Sequence, residues 1–143
     1  MSERLHRIVY CSKGCISGGE EEIRRELDRI LASARRNNSR VGVTGALLYN
    51  AECFAQVLEG PQEHVETIFE TIQSDVRHHE IAVIESGVVR DRLFPEWSMA
   101  YAAAGPGSHN TQVTEAFDAV FAGSPEGTTQ VLSLLEQLLA NQA

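Results

Sequence analysis

The sequence has no long hydrophobic run and no recognisable leader. No apolar stretch approaches the roughly 18–20 residues that a membrane-spanning helix needs. The N-terminus, MSERLHRIVY, lacks the hydrophobic region and cleavage site of a signal peptide. These two absences argue against a membrane or secreted protein and predict a cytoplasmic location.

Basic residues are scarce as well. Twelve Lys and Arg residues stand against twenty Asp and Glu residues, which gives a formal charge of −8. Nucleic-acid binding depends on cations that neutralise phosphates, and anionic membrane surfaces attract basic segments. The charge therefore argues against both nucleic acid and membranes as partners.

Cysteine is the third scarcity. Cys11, Cys15 and Cys53 are an odd number, and their spacing is not that of a disulfide framework. We expect reduced thiols, and we find no metal-ligand spacing that combines them with the five histidines. The composition that remains, 43% hydrophobic and 22% charged residues, is typical of one globular domain.

Hydrophobic periodicity predicts five strands and four helices. The predicted strands are 5–12, 41–49, 53–59, 81–89 and 96–103. The first helix is expected to follow Ser17, which forms a capping box with Glu20, and to stop at Asn37 and Asn38. The second is expected to have Pro61 as its first residue. Two more helices are predicted at 113–121 and after a Ser-Pro start at 124–125.

The order β-α-β-β-α-β-β predicts an α+β sandwich of ferredoxin-like type, with two helices on one face of the sheet and a C-terminal helical pair. The first and third strands are expected to be central neighbours, because we expect each βαβ unit to place its strands side by side. This arrangement would bring Tyr10 and Gln56 into the same region. The linker-like composition after Ala103 predicts a boundary between a domain at 1–103 and an extension at 104–143.

Gln56 occupies an unusual position within a strand. It shares one strand face with Phe54 and Leu58, because strand residues alternate between faces. An amide in such a place is costly unless its hydrogen bonds are satisfied. Either this face is less buried than its neighbours indicate, or a polar partner lies there.

Four other residues stand out, although each has a purely structural explanation. Asn38 could be a left-handed helix cap, and Tyr10 could be a core tyrosine whose hydroxyl reaches the surface. Trp97 and Met99 alternate onto one strand face and could be core residues. The sequence has no GxSxG motif, no phosphate-binding glycine loop and no recognisable Cys–His motif, so no hydrolytic activity is indicated.

Five segments, in this order, resemble those of a BLUF domain, a blue-light sensor that uses flavin. They are IVYCS, RRNNSRVGVTGALLYN, FAQVLEG, SDVRHH and RLFPEWSM, and the resemblance covers about residues 4–103. It implies a ferredoxin-like fold that binds FAD noncovalently between its two helices. It also implies a light-driven change in hydrogen bonding rather than enzymatic turnover.

The resemblance implies a photoactive set of residues. Tyr10 would give up an electron and a proton, and Gln56 would lie between Tyr10 and flavin N5 and rearrange by rotation or tautomerisation. Trp97 and Met99 would exchange or track position as the last strand responds to light. The changed Gln56 would thereby switch the hydrogen bonds to the flavin.

The resemblance also implies a set of cofactor-binding residues. Asn38 would bond the pyrimidine end of the flavin ring, with Asn37 beside it. Arg77 and His78 would lie near the ribityl-phosphate part, and Asp75 precedes them in the same motif.

Two features depart from the family pattern. The connection after Tyr10, CSKGCISGG, is a few residues longer than in short members of the family. Thr71 stands where some relatives carry a basic residue directed at a ring carbonyl, which puts one flavin contact in doubt.

We expect the extension at 104–143 to act through contacts, because it is too short for a cyclase or phosphodiesterase. Its apolar stripe at 131–139 would pack on the exposed sheet face, and it would either serve in a homo-oligomer or engage a downstream effector protein. A simple cap for that face is the alternative. Two other functions remain open, a small flavin-dependent oxidoreductase and a flavin-free ferredoxin-like interaction module.

Overall fold

The computed structural model describes residues 4–14, 19–50, 53–74, 78–94, 100–103 and 111–140. The strands are β1 (Leu5–Gly14), β2 (Thr44–Asn50), β3 (Cys53–Pro61), β4 (His78–Val88) and β5 (Ala100–Ala103). The helices are α1 (Glu20–Arg40), α2 (Gln62–Gln73), α3 (Thr111–Phe121) and α4 (Pro125–Ala140). The predicted succession of strands and helices is confirmed.

The strands form one sheet in the order β4-β1-β3-β2-β5. β1 pairs antiparallel with both β3 and β4, β2 pairs antiparallel with β3, and β5 adds to β2 in parallel. The central position of β1 and β3 is therefore confirmed, but the expected reason for it is wrong. The two strands joined across α1 are not neighbours, because β3 lies between them.

Both faces of the sheet are covered in the described part of the chain. One buried cluster lies under α1 and α2, and it includes Tyr10, Leu27, Leu31, Leu47, Phe54 and Val65. The other lies under α3 and α4, and it includes Val9, Leu48, Val57, Phe117, Val131 and Leu135. The predicted packing of the last helix on the sheet is confirmed by its buried residues Val131 and Leu135.

The end of α1 differs from the prediction. The helix continues through Asn38 to Arg40, and the left-handed conformation follows at Gly42, whose φ is 71°. The Asn38 carbonyl accepts hydrogen bonds from the amides of Val41 and Val43, at 3.1 and 3.0 Å. Asn38 is therefore not a left-handed cap, and β2 begins three residues later than expected because residues 41–43 form the turn that these bonds close.

The starts of α1 and α2 also differ from the prediction. The N-cap residue of α1 is Gly19, which makes no side-chain cap bond, whereas Ser17 lies outside the described residues. Pro61 is the N-cap of α2 and not its first helical residue, because its ψ of 134° keeps it extended and paired with Leu5 of β1. β5 is described from Ala100, and its predicted first part at 96–99 lies outside the described residues.

Candidate cofactor site

Tyr10 and Gln56 lie directly opposite each other on β1 and β3. Strand alternation turns both side chains to the face that α1 and α2 cover. The Tyr10 hydroxyl donates a hydrogen bond to Gln56 Oε1. Gln56 is only 6% exposed and Tyr10 is fully buried, so the alternative of a tyrosine hydroxyl at the surface is wrong.

The ring of Tyr10 is held by packing as well as by its hydroxyl. It lies against Phe69 of α2, with the ring centroids 5.3 Å apart and the planes tilted by 52°. Tilted pairs of this kind are favourable contacts. The hydrogen bond to Gln56 and the ring contact with Phe69 therefore both hold the Tyr10 side chain in place.

A cavity of about 410 Å³ lies between α1 and α2, and Gln56 lines it. Its apolar lining comes from both helices and from the sheet, and it consists of Ile30, Ala34, Val41, Leu47, Phe54, Ile68 and Ile72. Its polar lining consists of Ser33, Asn37, Asn38, Arg40, Gln56, His64 and Thr71. A lining that combines apolar walls with convergent polar groups suits a small organic ligand with a polar edge.

The two neighbouring asparagines contribute differently. The helical turn places Asn38 inward, where it is 1% exposed, whereas the Asn37 side chain is exposed. Asn37 Nδ2 makes only a long contact of 3.4 Å to Ser33 Oγ on the preceding turn. Both residues line the cavity, but Asn38 is the buried amide within it.

The side chains of the remaining predicted site residues lie outside the part of the chain that the structure describes. The backbone of His78 begins β4, but its side chain is outside what the structure describes. Asp75, Arg77, Trp97 and Met99 lie outside the described residues altogether.

Thr71 stands at the position where the family pattern described above allows a basic residue. It lines the cavity, and its hydroxyl donates to the Thr67 carbonyl one turn earlier, at 3.1 Å. A short side chain that bonds its own helix is no substitute for a cation that reaches a ring carbonyl. The cavity lining therefore carries a threonine at position 71 in place of the basic residue of the family pattern.

Sequence reasoning missed three polar residues of the lining, namely Ser33, Arg40 and His64. A signal for two of them was present, because Ser33, Asn37 and Arg40 follow one another at spacings of four and three along α1. His64 begins a similar series on α2, four residues before Ile68. Polar residues on a helix ordinarily face solvent, so this spacing alone did not distinguish the three residues from an exposed helix face.

The thiols belong to the opposite face of the sheet. Cys11 and Cys53 are thiols that form no disulfide within the described residues, and Cys15 lies outside those residues. Burial, with a smaller contribution from the neighbouring Cys53, raises the pKa of the Cys11 thiol to about 12. Cys11 is therefore a protonated thiol at neutral pH and takes no part in the cavity.

The described residues show neither a metal-binding cluster nor a membrane-spanning helix. Within them, no group of three or more His, Cys, Asp or Glu side chains is arranged to hold a metal ion. No helix in the same part of the chain has both the length and the apolar character needed to cross a membrane.

Comparison with known proteins identifies the same stretch. The model of a family described as BLUF, sensors of blue-light using FAD, matches residues 5–100. The photoactivated adenylate cyclase subunit alpha of Euglena gracilis is 38% identical over 97 residues, which are 67% of this chain and 9% of that protein. The chain thus spans a small fraction of this relative, and the similarity does not extend to most of the enzyme.

Two solved structures resemble nearly the whole fold. The structure titled "BlsA ground state" has 30% sequence identity and a TM-score of 0.73, and the alignment covers 92% of this chain and 87% of that one. The structure titled "BlrB - a BLUF protein, dark state structure" has 24% identity and a TM-score of 0.72, with all of both chains covered. The second likeness supports the fold alone.

Proposed function

Because this chain belongs to the BLUF family of blue-light sensors that use FAD, we propose that the cavity between α1 and α2 holds the flavin ring of FAD. In this proposal Gln56 lies between Tyr10 and the ring, and the chain acts as a photoreceptor without turnover. The observation that carries it is the buried pair itself, in which the Tyr10 hydroxyl donates to an amide that lines the cavity.

The lining fits this cofactor in size and in chemistry. Liquid water occupies about 30 Å³ per molecule, so the 410 Å³ of the cavity equals about fourteen waters, which suits a ring system but not a whole dinucleotide. Seven apolar residues suit the flat faces of the ring. The amides of Asn38 and Gln56 offer donors and acceptors for its polar edge.

The photochemical roles belong to Tyr10 and Gln56. The bound flavin supplies a chromophore that becomes a strong oxidant when it absorbs blue light. Tyr10 is an oxidisable phenol, and its proton can follow its electron along the hydrogen bond to Gln56 Oε1. Gln56 carries both a donor and an acceptor, so it can pass on this proton. Once the electron and a proton have returned to Tyr10, no net oxidation remains and Gln56 is left rotated or tautomerised. Its bonds towards the ring then differ between dark and light, which biases the strand that carries it.

The other assignments remain proposals. Asn38 would bond the pyrimidine end of the ring, and Arg40 at the end of α1 would pair with the phosphates of FAD. Asp75, Arg77 and His78 would complete the binding of the ribityl-phosphate part. Guanidinium groups are well suited to phosphate, and Arg40 is both exposed and part of the lining.

The output is proposed to be a protein contact in the cytoplasm. A sensor unit at 1–103 would change the extension at 104–143, with Trp97 and Met99 following the last strand. The packing of α3 and α4 on the sheet supports a route from the sensor to these helices. A homo-oligomer and a separate effector protein are the two partners that this surface would serve.

The visible absorption spectrum tests the proposal. The purified protein with FAD would be measured in the dark and after blue light, as wild type, Gln56→Leu and the control Gln73→Leu, whose glutamine is exposed at the end of α2. We expect a small, reversible red shift of the flavin band in the wild type and the control and no shift in Gln56→Leu.

Two results would contradict the proposal. Bound flavin without a reversible shift in the wild type would refute light sensing, and oxidation of a reduced nicotinamide would then indicate a flavin enzyme. A colourless protein after purification with excess FAD would refute flavin binding and leave only an interaction module.

A further inference from the structure

Glu59 of β3 is a buried carboxylate that the proposed photochemistry does not use. It is 0% exposed. Its oxygens accept hydrogen bonds from Arg7 Nε at 2.8 Å and from the backbone amides of Leu93 and Phe94 at 2.9 and 3.0 Å. A carboxylate removed from water is costly unless it is paired and hydrogen-bonded in this way. Such a group indicates a specific structural requirement at this position.

The polar contacts around Glu59 fix the segment 91–94, which follows β4 and has neither helix nor strand. Arg7 Nη2 donates to the first carbonyl of this segment at 3.0 Å. Arg92 Nη1 donates to Thr44 Oγ1 of β2 at 2.8 Å and to the Glu59 carbonyl at 3.2 Å. The position of the segment therefore depends on side chains of the three central strands, and we call these contacts the Glu59 network.

The Glu59 network lies on the opposite side of β3 from the cavity. Gln56 points towards α1 and α2, and strand alternation turns Glu59, three positions later, to the other face. There the amide that Glu59 holds belongs to Phe94, whose buried ring is part of the cluster that contains Phe117 of α3 and Leu135 of α4. One strand thus connects the cavity with the helices of the extension.

We propose that Glu59 is a positioning residue through which a change at Gln56 reaches α3 and α4. This inference rests on the proposed photoreceptor function. When the hydrogen bonds of Gln56 change, β3 adjusts, and Glu59 takes the segment 91–94 with it. Phe94 then shifts within the cluster under α3 and α4. Because the contacts of Glu59 are few and directional, they are either kept or broken, which is the kind of discrete element that couples two sites.

Hydrogen exchange measured by mass spectrometry tests this route. The full chain with bound FAD would be compared in the dark and under continuous blue light, as wild type, Glu59→Gln and the control Glu63→Gln, whose side chain is exposed on α2. In the wild type and the control we expect exchange of the α3 and α4 amides to differ between dark and light. In Glu59→Gln we expect the flavin band to shift as in the wild type while this light–dark difference is lost.

A merely structural role of Glu59 gives another pattern. In Glu59→Gln, exchange in α3 and α4 would then rise equally in the dark and in the light. The light–dark difference in exchange would persist, and this result would overturn the inference. A wild type whose flavin band shifts without any light–dark difference in these helices would overturn it as well.

A second variant keeps the test independent of the stability of Glu59→Gln. Phe94→Leu keeps the backbone amide that donates to Glu59 and removes the ring that packs under α3 and α4. We expect it to keep the spectral shift and to lose the light–dark difference, and an unchanged difference would exclude Phe94 as the carrier. If the wild type shows no spectral shift, the proposed function fails, and the inference fails with it.

Discussion

The Tyr10 hydroxyl and Gln56 Oε1 meet across two adjacent strands at directly opposed positions of the ladder. Neither residue depends on a loop for its placement, because β1 and β3 are the central strands of the sheet. A pair built on central strands is held more rigidly than one built on loops. The relative placement of the two residues is therefore set by the pairing of β1 with β3.

Tyr10→Phe should abolish the light-induced spectral shift while FAD still binds. The ring keeps its contact with Phe69, but the hydroxyl that donates to Gln56 is lost. The free energy of unfolding should fall by about 1 kcal/mol, because a buried acceptor loses its donor. Absorption spectroscopy and urea unfolding measure the two effects. Tyr49→Phe is the matched control, since Tyr49 is also buried on this face but stands opposite Phe54 rather than Gln56. A wild-type shift in Tyr10→Phe would contradict the assigned role.

Asn38→Ala should weaken FAD binding much more than Asn37→Ala. The first variant removes a buried amide from the lining, and the second removes an exposed one. Loss of a hydrogen bond worth about 1.4 kcal/mol corresponds to a tenfold weaker affinity. Titration followed by flavin fluorescence gives the affinities. Equal effects of the two variants would contradict the inward role of Asn38.

Arg40→Gln should distinguish phosphorylated from unphosphorylated flavins. If the guanidinium pairs with phosphate, the affinity for FAD falls by roughly three- to tenfold at low salt, whereas that for riboflavin is unchanged. Arg36→Gln, one turn earlier and outside the cavity lining, is the control and should alter neither affinity. A parallel loss for FAD and riboflavin would indicate that Arg40 supports the cavity rather than the phosphates.

Cys11 should make the protein less stable at alkaline pH. Its pKa is raised in the folded state from 9.0 to about 12, chiefly by burial, so the unfolded thiol ionises first as the pH rises. The stabilising contribution is complete below pH 9 and is lost between pH 9 and about 12, at up to about 1.4 kcal/mol per pH unit.

Urea unfolding of the wild type and of Cys11→Ala at pH 7.5 and pH 10 measures this effect as a difference. The alanine variant should be less stable at pH 7.5 because it leaves a cavity under α3 and α4. At pH 10 the gap between the two proteins should narrow. A gap that is independent of pH would show that Cys11 does not account for the alkaline sensitivity.

The strand faces and the Tyr10–Gln56 pair could be predicted from sequence because they depend on local alternation and on chain order. The period of two assigned Gln56 and Phe54 to one face, and the structure agrees. The ends of α1 and the start of α2 could not be predicted as well, because several residues near each end are compatible with a cap. Asn38 resembled a stop signal, but Gly42 supplies the left-handed turn.

The burial of Glu59 could not be predicted from the sequence, for a different physical reason. At the end of a strand pattern an acidic residue is ordinarily a solvated one, and nothing local marks it as buried. Its partners, Arg7 and Leu93, are 52 and 34 residues away in the chain. Only the assembled sheet brings these residues together, so local sequence patterns do not predict the Glu59 network.

The two hydrophobic clusters share no residue and lie on opposite faces of one sheet. Substitutions in different clusters should therefore change the free energy of unfolding additively, as distant sites do. Substitutions on the face that holds the cavity should then change cofactor binding, and substitutions on the other face should change the packing of α3 and α4, nearly independently of each other. Pairs connected through β3, such as Gln56 and Glu59, are where we expect that independence to break down.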